Sequence, residues 1–231
     1  MGVFDLRMMW RLTQKPVLLL GYEPDPALLL RTLRLHSPEA QADGKEIRFA
    51  GKSRLRGPFD VTPELLARAG LPEGWRTAYV AERPWRDSGG SPLTTLNVVR
   101  GLARHLGGWA TEPRFGPDEI LAEVTGSCAI PPERLVELLA DTVPGLRLHE
   151  RDEEDESGVF KSEASLIWVN VGRWPPSGGR NVTYTVCFDE ESTYTPDSLL
   201  LGERAALLIA EEGGGVARDH NEFLLTSAGN G

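Results

Sequence analysis

The sequence has only two cysteines, Cys128 and Cys187, among 231 residues. Two cysteines cannot build the disulfide framework of a small secreted domain, and their spacing does not match a zinc site. We therefore predict two small, reduced side chains in a cytoplasmic protein. None of the four histidines has a second ligand at metal-binding spacing. We predict no metal site.

Long apolar stretches are also missing. No run approaches the roughly 20 residues that span a bilayer, and the first residues are not followed by the apolar segment and cleavage site of a secretory signal. The hydrophobic fraction of 40% and the charged fraction of 26% are typical of globular domains. These features predict a cytoplasmic location and no membrane partner.

The sequence lacks the short motifs of common enzyme families. It contains no Gly-x-Ser-x-Gly elbow, no phosphate loop ending in Gly-Lys-Ser or Gly-Lys-Thr, and no dinucleotide fingerprint. We therefore predict no cofactor and assign no catalytic residue. Because many active sites assemble from isolated residues, the sequence leaves open whether the protein is an enzyme.

The chain consists of two halves related by an offset of 106 residues. Element order and spacing coincide at three pairs of positions, which are the helix starts at Pro26 and Pro132, the strand starts at Thr77 and Thr183, and the helix ends at Gly107 and Gly213. A period this long indicates two copies of one small domain, since solenoid repeats run roughly 20–50 residues. The predicted domains are 1–115 and 116–231.

The order of elements within each half is close to β-α-β-β-α-β. Helix starts are indicated where a capping residue precedes proline, as at Asp25-Pro26, because proline at the first helical position has no N–H to leave unpaired. We predict an α+β fold made of a tandem duplication of a ferredoxin-like unit, with antiparallel sheets and helices on one face. The first half adds a short helix, Pro63 to Ala69, where the second adds a strand, Leu166 to Val171.

The two halves differ in charge. Residues 1–115 carry 17 Lys and Arg against 12 Asp and Glu, a net of +5, and residues 116–231 carry 8 against 22, a net of −14. The basic half concentrates its charge in five residues, Lys45, Arg48, Lys52, Arg54 and Arg56. Such a stretch can hold phosphate groups or an acidic protein surface. The alternative is a solvated hairpin whose cations balance the acidic second half.

Two loops share the pattern Trp-x-x-Ser-Gly-Gly, starting at Trp85 and at Trp174, and Arg83 and Arg173 stand just before them. Tryptophan and arginine are the side chains most enriched at binding hot spots. The loops therefore form a candidate binding site. Chance similarity between two glycine-rich loops is the alternative, because they are 89 residues apart and so out of register with the duplication.

Three functions remain compatible with the sequence. The first is a non-catalytic bacterial protein of the immunity or adaptor type, whose acidic half meets a cationic protein partner. The second is an enzyme or small-molecule binder that uses the cleft between the repeats, with the two Trp loops at its mouth. The third is an RNA-binding protein that acts through its basic first half. Among these we predict a protein partner.

Overall fold

The computed structural model describes residues 3–83, 93–110, 120–152, 157–173, 181–189 and 196–226. The chain divides into two compact units, Met1–Phe115 and Gly116–Gly231. The described part of the first unit contains α1 (Val3–Gln14), β1 (Val17–Leu20), α2 (Pro26–His36), β2 (Gln41–Asp43), β3 (Glu46–Phe49), β4 (Ser53–Asp60), α3 (Pro63–Ala69), β5 (Thr77–Glu82), α4 (Leu93–Leu106) and β6 (Trp109–Ala110). That of the second contains β7 (Ile120–Gly126), α5 (Pro132–Leu139), β8 (Arg147–Asp152), β9 (Ser157–Ser162), β10 (Ile167–Arg173), β11 (Val182–Phe188), α6 (Pro196–Glu212) and β12 (Val216–Asp219).

The described residues form an α+β fold with two six-stranded antiparallel sheets, as the α+β prediction requires. The first sheet has the order β6-β1-β5-β4-β3-β2, and the second has the order β12-β7-β11-β10-β9-β8. Each strand of the second sheet therefore occupies the place of the strand six earlier in the chain. The strand β10 occupies the place of β4. The prediction that the strand Leu166 to Val171 is an addition of the second half is therefore wrong.

The sheet of the first unit is covered on both faces. All four residues of β1 are completely buried. Met8 and Leu12 of α1 and Leu66 of α3 pack with Val17, Leu19, Ala78 and Val80 on one face. The helix α4 contacts β1, β5 and α2, and it covers the face that holds Leu18 and Leu20. The prediction of helices on one face is wrong for this unit, because α1 and α3 close the second face.

The second unit has its core on one face of its sheet. Inward residues of the strands, among them Val124, Val169 and Tyr184, pack with Leu135 of α5 and Ile209 of α6. The intervening residues of the strands point to the opposite face. This alternation is expected for an antiparallel sheet with one buried face.

The offset between the two units is not uniform. Leu18 pairs with Tyr79 in the first sheet, and Val124 pairs with Tyr184 in the second. Leu18 and Val124 are 106 residues apart, but the two tyrosines are 105 apart. A one-residue shift turns every side chain of a strand to the other face. The predicted match of Thr77 to Thr183 is therefore wrong by one residue, and Thr77 corresponds to Val182.

At the ends of α4 and α6 the sequence offset is larger than 106 instead of smaller. The N–H of Gly108 donates to the carbonyl of Ala103, and the N–H of Gly215 donates to that of Ala210, both at 2.7 Å. These two bonds are 107 residues apart. The left-handed residues before them are Gly107 at φ 67° and Gly214 at φ 60°. Glycine ends both helices because it enters this conformation without strain.

Candidate functional site

The second sheet presents a face on which, within the described residues, no helix packs. We call it the outer face, and it comprises Glu123, Thr125, Val159, Lys161, Trp168, Asn170, Gly172, Thr183, Thr185 and Cys187. The corresponding face of the first sheet is covered by α1 and α3. The lengths of two equivalent connections already reflect this difference in coverage. Sixteen residues, including α3, connect β4 to β5, but only eight connect β10 to β11.

The centre of the outer face is a shallow depression of about 450 Å³ lined by Glu123, Thr125, Asn170, Val171, Gly172, Thr183 and Thr185. It exists because small side chains lie opposite one another there. Thr125 pairs with Thr183, which pairs with Gly172, and a Cβ added at Gly172 would meet no atom within 4 Å. The floor offers hydroxyl and amide groups that can both donate and accept hydrogen bonds.

A second depression, of about 380 Å³, lies where β9 ends and β10 begins. It is lined by Lys161, Ser162, Glu163, Leu166, Ile167, Trp168 and Asp189. The indole N–H of Trp168 donates to the carbonyl of Phe188 at 3.2 Å, which fixes the ring. The ammonium of Lys161 lies 5.6 Å from the centre of the same ring. The outer face therefore carries a positioned aromatic side chain that interacts with a cation.

Leu166 forms the edge of this second depression in an unusual conformation. Its φ is 55°, and 39% of the residue is exposed. The left-handed region is disfavoured for a bulky residue such as leucine. The N–H of Asp189 donates to the carbonyl of Leu166 at 3.0 Å, which ties this turn to the end of β11. An exposed apolar side chain is thus held beside Trp168.

Ion pairs occupy the guanidinium groups of the predicted basic stretch. Arg54 and Arg56 of β4 both contact Glu46 of β3, at 2.9 and 3.1 Å, and Arg56 also contacts Glu82 of β5 at 3.2 Å. Arg48 pairs with Asp43 of β2. Lys45 and Lys52 lie exposed in the turns before and after β3. Antiparallel pairing brings Glu46 from within the stretch, Asp43 from before it and Glu82 from after it next to its arginines.

One further cation joins this network from α1. Arg11 contacts Glu82 at 3.2 Å and lies 5.7 Å from the ring centre of Phe59. Arg11 and Glu82 are each 19% exposed. The sequence prediction did not include Arg11, because no helix was predicted there. The alternation Ser53-Arg54-Leu55-Arg56 was the available signal for the strand that carries two of these arginines.

The second predicted site, at the two Trp loops, falls largely outside the described residues. Trp85 and Trp174 both lie outside them. Arg83 follows β5 directly and is partly buried. Arg173 is the last residue of β10, opposite Val182, and its side chain is outside the described part. The proposal of a shared site there stays a prediction.

Two tyrosines have a raised pKa in the described structure. Burial raises the pKa of Tyr79 to about 12, and the charge of Glu23 adds to the effect. Burial also raises the pKa of Tyr184. The hydroxyl of Tyr184 accepts from the N–H of Ile130 at 2.8 Å and donates to the carbonyl of Cys128 at 3.4 Å. Both rings are enclosed in the core, so these shifts reflect packing.

Within the described ranges, no three His, Cys, Asp or Glu side chains are grouped so that they could hold a metal ion. In the same ranges, no helix is both long enough and apolar enough to cross a membrane. No protein-family model matches the sequence, and none of the curated proteins matches it.

Proposed function

We propose that this is a non-catalytic protein-binding protein of the immunity or adaptor type, and that it binds its partner through the outer face of the second unit. The observation that carries the proposal is the difference between the two sheets: α1 and α3 cover this face in the first unit, and no described helix covers it in the second. A polar face with one anchored tryptophan resembles a non-obligate interface, in which aromatic side chains supply much of the affinity.

The proposed partner is a protein with a cationic surface. Residues 116–231 carry a net charge of −14. Charge complementarity of this kind mainly increases the association rate and excludes wrong partners. Carboxylates of Glu123, Glu163 and Asp189 line the two depressions. A cytoplasmic location fits the proposal, because Cys128 and Cys187 form no disulfide.

The fold belongs to the same proposal. The strands β6-β1-β5-β4 and β12-β7-β11-β10 have the order of a split βαβ unit. The outer strands β6 and β12 each follow a helix, whereas β4 and β10 follow the added strands β3 and β9. We propose that each unit is a ferredoxin-like unit extended by two strands, and that the two arose by duplication. In this view the described part of the second copy has no counterpart of α3 over its sheet, and the sheet is available to a partner.

RNA binding through the first half is the alternative that the geometry supports less. Arg48, Arg54 and Arg56 are engaged by carboxylates within 3.2 Å. Phosphate binding requires cations that can neutralise phosphates and release counterions. Retained nucleic acid in the purified protein would nevertheless favour this alternative.

The test is capture of the partner from the native host with two matched pairs of variants. Thr185→Arg places a cation at the centre of the outer face, and Leu200→Arg places the same group at an exposed position of α6. Trp168→Ala removes the anchored indole, and Trp10→Ala removes an exposed indole from α1. We expect one basic protein to be retained stoichiometrically by the wild type and both control variants, and to be lost with Thr185→Arg and Trp168→Ala. Equal retention by all four variants, each with an unchanged melting temperature, would refute the proposal.

A further inference from the structure

A third cavity lies on the helix-covered side of the second sheet. It has a volume of about 620 Å³ and is lined by Ala129, Ile130, Pro131, Pro132, Leu148, Arg151, Ser157, Gly158, Phe160, Val171 and Val182. This volume is within the roughly 300–1,000 Å³ range of pockets that hold small ligands. It lies mainly on the core side, because Gly158, Phe160 and Val182 point toward the core, although Val171 also lines the central depression of the outer face.

The cavity exists because a glycine occupies an inward position of β9. Gly158 pairs with Arg151 on one side and with Val171 on the other. A Cβ added at Gly158 would lie 3.6 Å from Leu148 and from Phe160, in ordinary contact. The missing side chain leaves a gap in the middle of this row. Residues Ile130 to Pro132, which lead into α5, form the opposite wall.

The chemistry of the lining is one-sided. Eight of its eleven described residues are apolar, and Arg151 is the single charged one among them. Leu148 is 40% exposed although it points to the core side, and it lies at an irregularity of β8 where the register shifts before Glu150. Bulges of this kind redirect side chains and occur next to functional sites more often than elsewhere.

We propose that this cavity binds a small amphipathic carboxylate with a medium-chain alkyl body. The alkyl chain packs on Phe160, Val171 and Leu148, and the carboxylate pairs with the guanidinium of Arg151. A guanidinium forms two parallel hydrogen bonds with a carboxylate. An apolar cavity with one cationic group selects a ligand that has one anionic end.

The site is fixed before a ligand arrives. Tyr184 is completely buried, and its hydroxyl holds the N–H of Ile130 at 2.8 Å and the carbonyl of Cys128 at 3.4 Å. These bonds tie the wall formed by Ile130 to Pro132 to the centre of the sheet. A preformed cavity avoids the ordering cost that would otherwise reduce affinity.

The test uses octanoate as the probe and follows the backbone amide signals of the full chain by NMR titration. We expect saturable shifts concentrated at Ile130, Leu148, Gly158 and Val171. Arg151→Gln should weaken binding roughly 3- to 10-fold, because it removes the charge-assisted pair with the carboxylate. A tenfold loss corresponds to about 1.4 kcal/mol. Arg147→Gln is the matched control, because Arg147 lies on the same strand but pairs with Glu163 at 2.7 Å. It should leave the affinity unchanged.

Two further measurements make the result decisive. Gly158→Leu places a side chain in the gap and should abolish octanoate binding while the melting temperature stays close to that of the wild type. Octyltrimethylammonium, which has an alkyl chain of similar length and the opposite charge, should bind weakly or not at all. The proposal is overturned if octanoate causes no saturable shifts, if the cationic probe binds equally well, or if Arg147→Gln and Arg151→Gln have the same effect. None of these outcomes bears on capture of a protein partner by the outer face.

Discussion

Tyr79 and Tyr184 occupy the same position in the two sheets. Tyr79 lies opposite Leu18 and Tyr184 lies opposite Val124, in the strand that follows the three-stranded meander of each unit. Both rings are buried, at 4% and 0% exposure. Their surroundings differ at the hydroxyl. Tyr184 is held by the backbone before α5, whereas the charge of Glu23 acts on Tyr79.

Tyr184→Phe removes the acceptor of a buried N–H group, that of Ile130. An unsatisfied buried donor typically costs about 1–3 kcal/mol. We expect the free energy of unfolding to fall by an amount in this range, as measured by denaturant titration. Tyr79→Phe is the control, because it removes a hydroxyl from an equivalent buried ring. If the two variants lose the same stability, the bond to Ile130 is not the cause.

Tyr79 should make stability depend on pH at the alkaline end. Its pKa is about 12 in the folded protein, against an ordinary value of 10.0. A group whose pKa is raised by folding contributes stability that is complete below the unfolded value and is lost as pH rises through the folded value. We expect this loss between about pH 10 and pH 12, with Tyr79→Phe less sensitive over the same range. In a titration followed by tyrosinate absorbance, folded Tyr79→Phe should lack one ionisation step near the alkaline end. A titration curve identical to that of the wild type would contradict the raised pKa of Tyr79.

Glu212 should titrate differently once its partner is removed. Arg134 of α5 contacts Glu212 of α6 through two hydrogen bonds, at 2.8 and 3.2 Å, and these bonds lower the pKa of Glu212. Its stabilising effect is therefore present above the ordinary carboxyl pKa and is lost as pH falls through the lowered value. We expect Arg134→Gln to raise the pKa of Glu212 toward its ordinary value, as followed by NMR of the side-chain carboxyl. Glu137→Gln removes the other carboxylate beside Arg134, which lies 3.6 Å from the guanidinium, and it should change the pKa of Glu212 less.

Gly202→Ala should destabilise the protein although alanine favours helices. Gly202 lies in the middle of α6, and a Cβ there would lie 2.6 Å from the Cβ of Leu121. Replacing glycine by alanine in a helix normally stabilises by roughly 0.5–1 kcal/mol, but overpacking costs about 1–3 kcal/mol. We expect a net loss in the denaturation midpoint. Gly21→Ala is the control, since a Cβ at Gly21 meets nothing within 4 Å, and a net gain at Gly202 would show that the packing can relax.

Several elements could be predicted from local sequence because local rules determine them. The structure has helix starts at Pro26, Pro63 and Pro132, where proline follows directly upon the cap position. It has strands at Val17–Leu20 and Thr77–Glu82, where apolar and β-branched residues are concentrated. The strands β4 and β9 were not predicted, because the arginines of β4 and the glycine of β9 resemble a turn or loop until their partner strands are known.

The candidate surfaces depend on information that is distributed along the chain. Arg56 lies between Glu46 and Glu82 only after β3, β4 and β5 have paired. The basic stretch therefore looks uncompensated in the sequence and is compensated in the fold. Trp168 and Lys161 belong to different strands of an antiparallel pair, seven residues apart, and no helical or strand period relates them to Thr125 or Thr183.

The sequence by itself determined the α+β class, the repetition of elements and the difference in charge between the halves, because composition, caps and periodicity are local properties. Only the tertiary structure decided which face of each sheet is covered. That choice depends on the register in which each strand pairs with its neighbours and on whether the chain returns across the sheet, as it does through α3. A change of one position reverses the direction of every side chain in a strand, so the outer face becomes visible only when the strands are paired.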